Sequence, residues 1–157
     1  MKEYNRHSIR LKNYDYSQPG LYFVTICVQN RQCLFGDIKD GDLKLNDVGK
    51  MIKKCWEQMA ILFPALSINE FVVMPDHFHA IVDISLNSDQ VLLSRIIGSF
   101  KSITTNEYIH GVKDGTWMPF EKRLWQRNYY EHIIRDIFDH NRVVDYIKNN
   151  PKSWNHQ

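Results

Sequence analysis

Only three cysteines occur in the 157 residues, Cys27, Cys33 and Cys55, and no two form a Cys-x-x-Cys pair. An odd, scattered set offers neither a structural zinc site nor a disulfide framework, and the expectation is free thiols in a reducing cytoplasm. No apolar run approaches the roughly 20 residues of a membrane span. The first residues, Met1-Lys2-Glu3-Tyr4-Asn5-Arg6, lack an apolar signal region. The formal net charge is only +2, so the chain as a whole is not a polybasic nucleic-acid binder. Any contact with DNA has to come from a local patch. No internal repeat or low-complexity tract is visible. What remains is ordinary for one globular domain over residues 1–157: 43% hydrophobic and 24% charged residues. The aromatic share, 13%, is high and suits either a packed sheet or base stacking.

Residues 1–19 mix Arg6, Arg10 and Lys12 with Tyr4, Tyr14 and Tyr16, without a clear period. They read as an N-terminal arm, either solvated or laid on a nucleic-acid backbone. After the Pro19-Gly20 turn signal, Leu21 to Val28 is rich in β-branched and aromatic residues and is a strand. Asn30 to Gly41 reads as loop, and Leu43-Lys44-Leu45 as a short strand. Asn46 or Asp47 caps a helix to about Leu62, with Val48, Met51, Ile52, Cys55, Met59 and Leu62 as its apolar stripe.

Ile68 to Met74 is the second strong strand. Pro75-Asp76 turns the chain into a third, His77 to Ile84. Asn87 to Asp89 opens a second helix whose buried face is Val91, Leu92, Ile96, Ser99, Phe100 and Ile103. Gly111 to Pro119 reads as loop, and Leu124 to His132 as a strand because of its aromatic content. Asp136 to Asp139 starts a last helix, with Val143, Val144 and Ile147 on its core side. Pro151 stops that helix, and residues 152–157 form a short tail. This order of elements predicts an α+β domain, helices packed against an antiparallel sheet.

The chemistry centres on His77-Phe78-His79. Side chains alternate along a strand, so both imidazoles share one face and Phe78 takes the other. Same-face neighbours lie about 7 Å apart, close enough for two imidazoles to grip one divalent ion. With seven histidines in the chain, such a pair arises by chance in roughly a quarter of comparable sequences. Metal chemistry therefore needs another ligand and a group that uses the ion. The last helix carries Arg142, Tyr146 and Asn150 at four-residue spacing, stacked along one face. A phenol can act as nucleophile, an amide oxygen as a third ligand, and an Arg one turn earlier can hold a phosphate or favour phenolate. Tyr129 and Tyr130 stay open as rival nucleophiles. Arg95, Lys101 and Arg127 are candidates for phosphate contacts, against the plainer reading of a charged solvent face.

Four segments in order resemble one family. They are Tyr14 to Gly20 leading into Tyr22-Phe23-Val24-Thr25, the block Met74 to His79, the block Leu124 to His132, and Asp145-Tyr146-Ile147 through Asn150-Pro151. Together they resemble the single-tyrosine HUH transposases, specifically the REP-associated tyrosine transposase-like group. The resemblance implies a ferredoxin-like antiparallel sheet with helices mainly on one face. It implies that His77, His79 and Asn150 hold Mg²⁺ or Mn²⁺, and that Tyr146 is the nucleophile. It further implies a homodimer acting on single-stranded DNA, often hairpin or palindromic, through a 5′-phosphotyrosine. The chain departs from the family pattern after Pro151, where Lys152-Ser153-Trp154 stands.

Two other readings compete. One is a metal-dependent phosphoesterase without a covalent intermediate, although a histidine-triad hydrolase wants a third histidine where Ile81 stands. The other is a domesticated, catalytically silent DNA-hairpin-binding protein. His132 lies in a matched block, with a structural hydrogen bond as its default role.

Overall fold

The computed structural model describes residues 20–85 and 91–154. The expected arm (1–19), the expected helix opening at Asn87 to Asp89 and the last three tail residues lie outside the described residues. Among these residues six strands and three α-helices follow one another: β1 (Gly20–Cys27), β2 (Gly36–Lys39), β3 (Asp42–Leu45), α1 (Asp47–Leu62), β4 (Leu66–Met74), β5 (His77–Ile84), α2 (Leu93–Lys113), β6 (Tyr130–Ile134) and α3 (Ile137–Asn149). The main sheet has the order β4-β5-β1-β6, with every neighbouring pair antiparallel. Setting aside the small β2–β3 hairpin, this is a split β-α-β arrangement, the ferredoxin-like topology.

The alternation along the strands divides the sheet into two working faces. Tyr22, Val24 and Ile26 of β1 and Phe78, Ala80 and Val82 of β5 join α1 and α2 in the larger core. Phe78 is fully buried and wedges between Trp56 of α1 and Phe100 of α2, with ring centroids 5.1 and 5.0 Å away. On the opposite face Phe23, Ile81 and Ile134 meet Val143 and Ile147 of α3 in a smaller core. Two helices thus cover one face, and the third covers only part of the other.

Local chemistry explains where elements begin. The Asn46 side chain accepts from Gly49 N–H at the start of α1, and Asp136 accepts from Asp139 N–H at the start of α3. Met74 and His77 pair across the turn made by Pro75 and Asp76. The carbonyls of those two turn residues are tied down by Phe35 N–H and Val28 N–H.

Several boundaries differ from expectation. The segment expected as loop contains β2, because Gly36 lets the backbone pass where a Cβ would lie 2.3 Å from the Lys44 carbonyl oxygen. Leu124 to Tyr129 is not strand; β6 starts at Tyr130. Trp125 instead turns into the core, donates from Nε1 to Thr104 Oγ1 and makes one isolated bridge to Val28. Its aromatic character serves burial, which strand propensity mimics. α2 starts at Leu93 and runs on to Lys113, burying Leu93, Ile96, Ile97, Phe100, Thr104 and Tyr108, while Leu92 is exposed. Gly111 is inside that helix because the Trp117 ring lies against it, leaving no room for a Cβ.

Replacing Phe78 by Ala removes the wedge between α1 and α2. The expected loss of stability is about 3–5 kcal/mol, read from urea denaturation midpoints. A loss under about 1 kcal/mol would contradict this packing role.

Candidate functional site

β5 is a central strand, and its register with β1 builds the site. Thr25 lies opposite His79 and Cys27 opposite His77. Both imidazoles are nearly buried, at 6% and 4% exposure. Their outer nitrogens are tied: His77 Nδ1 to Asp76 Oδ1 at 2.6 Å, and His79 Nδ1 to Thr25 Oγ1 at 2.8 Å. The Asp76 carboxylate accepts from His77 Nδ1–H; in the tautomer in which Thr25 Oγ1 accepts from His79 Nδ1–H, the two Nε2 lone pairs face one point, 3.0 Å apart. Facing lone pairs repel unless a proton or cation lies between them.

Burial holds the His79 imidazole down to about 3, with the neighbouring His77 and Arg31 adding to the effect and Asp76 opposing it. Asp76 is raised by burial, but the His77 and Arg31 partners outweigh that and bring it below the usual carboxylate range.

A cavity of about 430 Å³ opens on this pair. Phe23, Thr25, Arg31, Tyr130, Tyr146, Asn150, Ser153 and Trp154 complete its walls. Tyr146 comes from α3 of the same chain. Its ring stands edge-on to His79 at 5.3 Å and to Phe23 at 5.9 Å, and it is half exposed. Asn150 is buried and keeps helical backbone angles (φ −56°, ψ −44°) despite the following Pro151. The structure therefore brings together His77, His79, Tyr146 and Asn150. Among the described residues no group of three or more His, Cys, Asp or Glu side chains is arranged to hold a metal. His77 and His79 with the Asn150 amide are the donor set that could hold one ion here, and the tied Nδ1 atoms suit that role.

The basic candidates are not brought to this cavity. Arg142 pairs with Asp139 at 2.5 Å and points to solvent. Four-residue steps drift by about 40° on a helix, so Arg142 and Asn150 sit about 80° apart around α3. Asp139 also takes His132 Nε2 at 2.7 Å, so His132 pins β6 to the first turn of α3. Arg95 lies over the Phe63 ring. Lys101 donates to the carbonyls of Gln126 and Arg127 and so fixes that segment. Lys101 and Arg127 line a separate groove of about 530 Å³ together with Lys122 and Arg123. Of the rival tyrosines, Tyr129 packs on the larger core, whereas Tyr130 lines the same cavity as Tyr146.

Five lining residues were given no site role in the sequence: Phe23, Thr25, Arg31, Ser153 and Trp154. Strand alternation from a paired β1 would have found Thr25, but only once the register was known. The expected tail is structured through residue 154. Ser153 bonds back to the Asn149 carbonyl through both N–H and Oγ, and Lys152 lies against Gly41 of the β2–β3 turn. Trp154 then stacks on His77 with centroids 5.9 Å apart and planes 27° apart.

His79 also makes the fold acid-sensitive. The unfolded chain takes up a proton near pH 6.5, whereas the folded chain resists until about 3. Stability is therefore lost as pH falls through that window, by about 3 kcal/mol between pH 6.5 and 4. A His79→Gln variant, followed by urea denaturation across pH, should show a correspondingly shallower decline; equal slopes would refute it.

Comparison with known proteins gives the family and the fold. Residues 21–150 match the family model "Transposase IS200 like". An uncharacterised Haemophilus influenzae protein is 39% identical, over 96% of this chain and 91% of its own length. The REP-associated tyrosine transposase of Escherichia coli K12 is 25% identical, over 96% of this chain and 73% of its own. In fold, the chain resembles a solved REP-associated tyrosine transposase bound to a REP hairpin. The TM-score there is 0.64 at 24% identity, covering 91% of this chain and 73% of that one. With the family model spanning most of its length, the chain belongs to the IS200-like transposase family.

Proposed function

We propose that this transposase breaks and rejoins single-stranded DNA through a covalent bond to Tyr146. The observation that carries the reading is the meeting, in one chain and one cavity, of the Tyr146 ring with two convergent Nε2 atoms. Mg²⁺ or Mn²⁺, held by His77, His79 and Asn150, would supply Lewis acidity and orientation to the scissile phosphate. Tyr146 Oη attacks phosphorus as the P–O3′ bond breaks. The departing 3′ oxygen ends as a hydroxyl, taking the equivalent of the phenol proton, and the 5′ phosphate stays on the tyrosine. A phenolate leaves far more readily than an alkoxide, so a 3′-OH can reverse the step without ATP. Phe23 and Ile81 pack beneath this side of the sheet and hold α3 through Val143 and Ile147, which fixes the distance from phenol to imidazoles.

The substrate reading draws on the relative whose structure carries a REP hairpin. We extend that to hairpin-bearing or palindromic single-stranded DNA for this chain. Each copy has one Tyr146, so two cuts draw on two active sites, and a homodimer meets that need.

Two measurements test the chemistry. Labelled hairpin oligonucleotides copied from the DNA flanking the coding region, incubated with Mn²⁺, should yield a protein–DNA adduct. That adduct should vanish in Tyr146→Phe and after chelation of the metal. An adduct persisting in the Phe form would move the nucleophile to Tyr130. Metal-dependent cleavage without any adduct would favour a phosphoesterase. Separately, Thr25→Val removes the hydroxyl behind His79 and should weaken Mn²⁺ binding about 10- to 100-fold by calorimetry. Unchanged affinity would remove Thr25 from the supporting shell.

A further inference from the structure

Arg31 occupies a place that neither the motif blocks nor the helix spacing assigns. It lines the cavity beside His77, His79, Tyr146 and Asn150. Among the described lining residues it is the one permanent cation, and none is a carboxylate. A cavity of that composition favours an anion.

The guanidinium is held in place from behind. Its Nε donates to Asp76 Oδ2 at 3.0 Å, and Nη1 donates to Cys27 Sγ at 2.8 Å. Asp76 is 5% exposed on its side chain and gives its other oxygen to His77. One buried carboxylate therefore sets the orientation of both a candidate metal ligand and a cation. Guanidinium carries five N–H donors. The two bonds among the described residues leave three, on a side chain that is 49% exposed. The backbone is committed to this placement as well. Asn30 and Arg31 both adopt left-handed angles (φ 60° and 54°), with Arg31 N–H bonded to the Val28 carbonyl. Such conformations cost on the order of 1–3 kcal/mol each, and persist where the surroundings enforce them.

Building on the function proposed above, we propose that Arg31 is a catalytic residue that donates hydrogen bonds to a non-bridging oxygen of the phosphodiester attacked by Tyr146. A charge-assisted bond from a planar guanidinium suits a phosphate oxygen. Negative charge on the phosphoryl oxygens is stabilised by fixed donors as the P–O3′ bond breaks, and a donor fixed by Asp76 needs no reorganisation. This assigns to Arg31 the phosphate contact that helix spacing suggested for Arg142.

The test separates touching the phosphate from merely supporting His77 through Asp76. Arg31→Gln and Arg31→Lys are compared with the wild type in three measurements, with folding checked by thermal melts. In single-turnover adduct formation at saturating Mn²⁺, the Gln form should slow about 10²- to 10³-fold, and the Lys form less. Mn²⁺ affinity measured without DNA should stay within about threefold of wild type, because the His77–Asp76 bond remains. Oligothymidylate binding in EDTA should lose about 0.7 from its log–log salt slope in the Gln form, and keep it in the Lys form. Wild-type adduct rates in the Gln form would overturn the proposal. So would a rate loss that tracks lost Mn²⁺ affinity with an unchanged salt slope. A wild-type protein forming no adduct would overturn the strand-transfer reading instead, and the salt slope would still decide whether Arg31 meets phosphate.

Discussion

Two imidazole nitrogens 3.0 Å apart in a nearly dry place are the constraint around which this protein is arranged. Neither ring can rotate away, because each is anchored at its far nitrogen by Asp76 or Thr25. Neither can be moved into water, because each belongs to a strand paired on both sides. Burial keeps His79 neutral, so its lone pair is available. The opposite face of the same strand is bonded into the sheet's larger core through Phe78, Ala80 and Val82.

That division of labour follows from pleating. Phe78 points into a close-packed aromatic cluster with Trp56 and Phe100, and by doing so forces its two neighbours to the other side. α1 and α2 pack on the larger core, whereas α3 carries Tyr146 to the cavity. Among the described residues the smaller core beneath α3 has five buried members, Phe23, Ile81, Ile134, Val143 and Ile147. It needs no more, since its task is to hold one helix at a set distance from β5. The His132–Asp139–Arg142 bonds add a polar clasp at the other end of that helix. Tyr146 is thereby left half exposed over an open cavity.

The walls of the cavity come from five separate stretches: β1, the turn after it, β5, the start of β6, and α3 with the turn that follows. Residues 151–154 show how little sequence distance matters here. Ser153 satisfies the last carbonyls of α3, Lys152 meets the β2–β3 turn, and Trp154 lands on His77. A segment expected only as a short tail therefore supplies Ser153 and Trp154 to the cavity wall.

Local pattern alone determined a good deal. The apolar stripe of α1 up to Met59 (Leu62 at its end is exposed), the Asn46 and Asp136 caps, the strand character of β1 and β5, and the shared face of His77 and His79 all depend on neighbours a few residues away. So does the grouping of Tyr146 with Asn150 on α3. Tertiary structure alone decided which cation meets the site, since Arg142 drifts around its helix and finds Asp139, while Arg31 is folded over by a left-handed turn. It also decided that Trp125 is core and not strand, and that Thr25 stands behind His79. The physical reason is the same each time: periodicity states which way a side chain leaves its own backbone, whereas the partner it meets depends on register and packing between segments far apart in the chain.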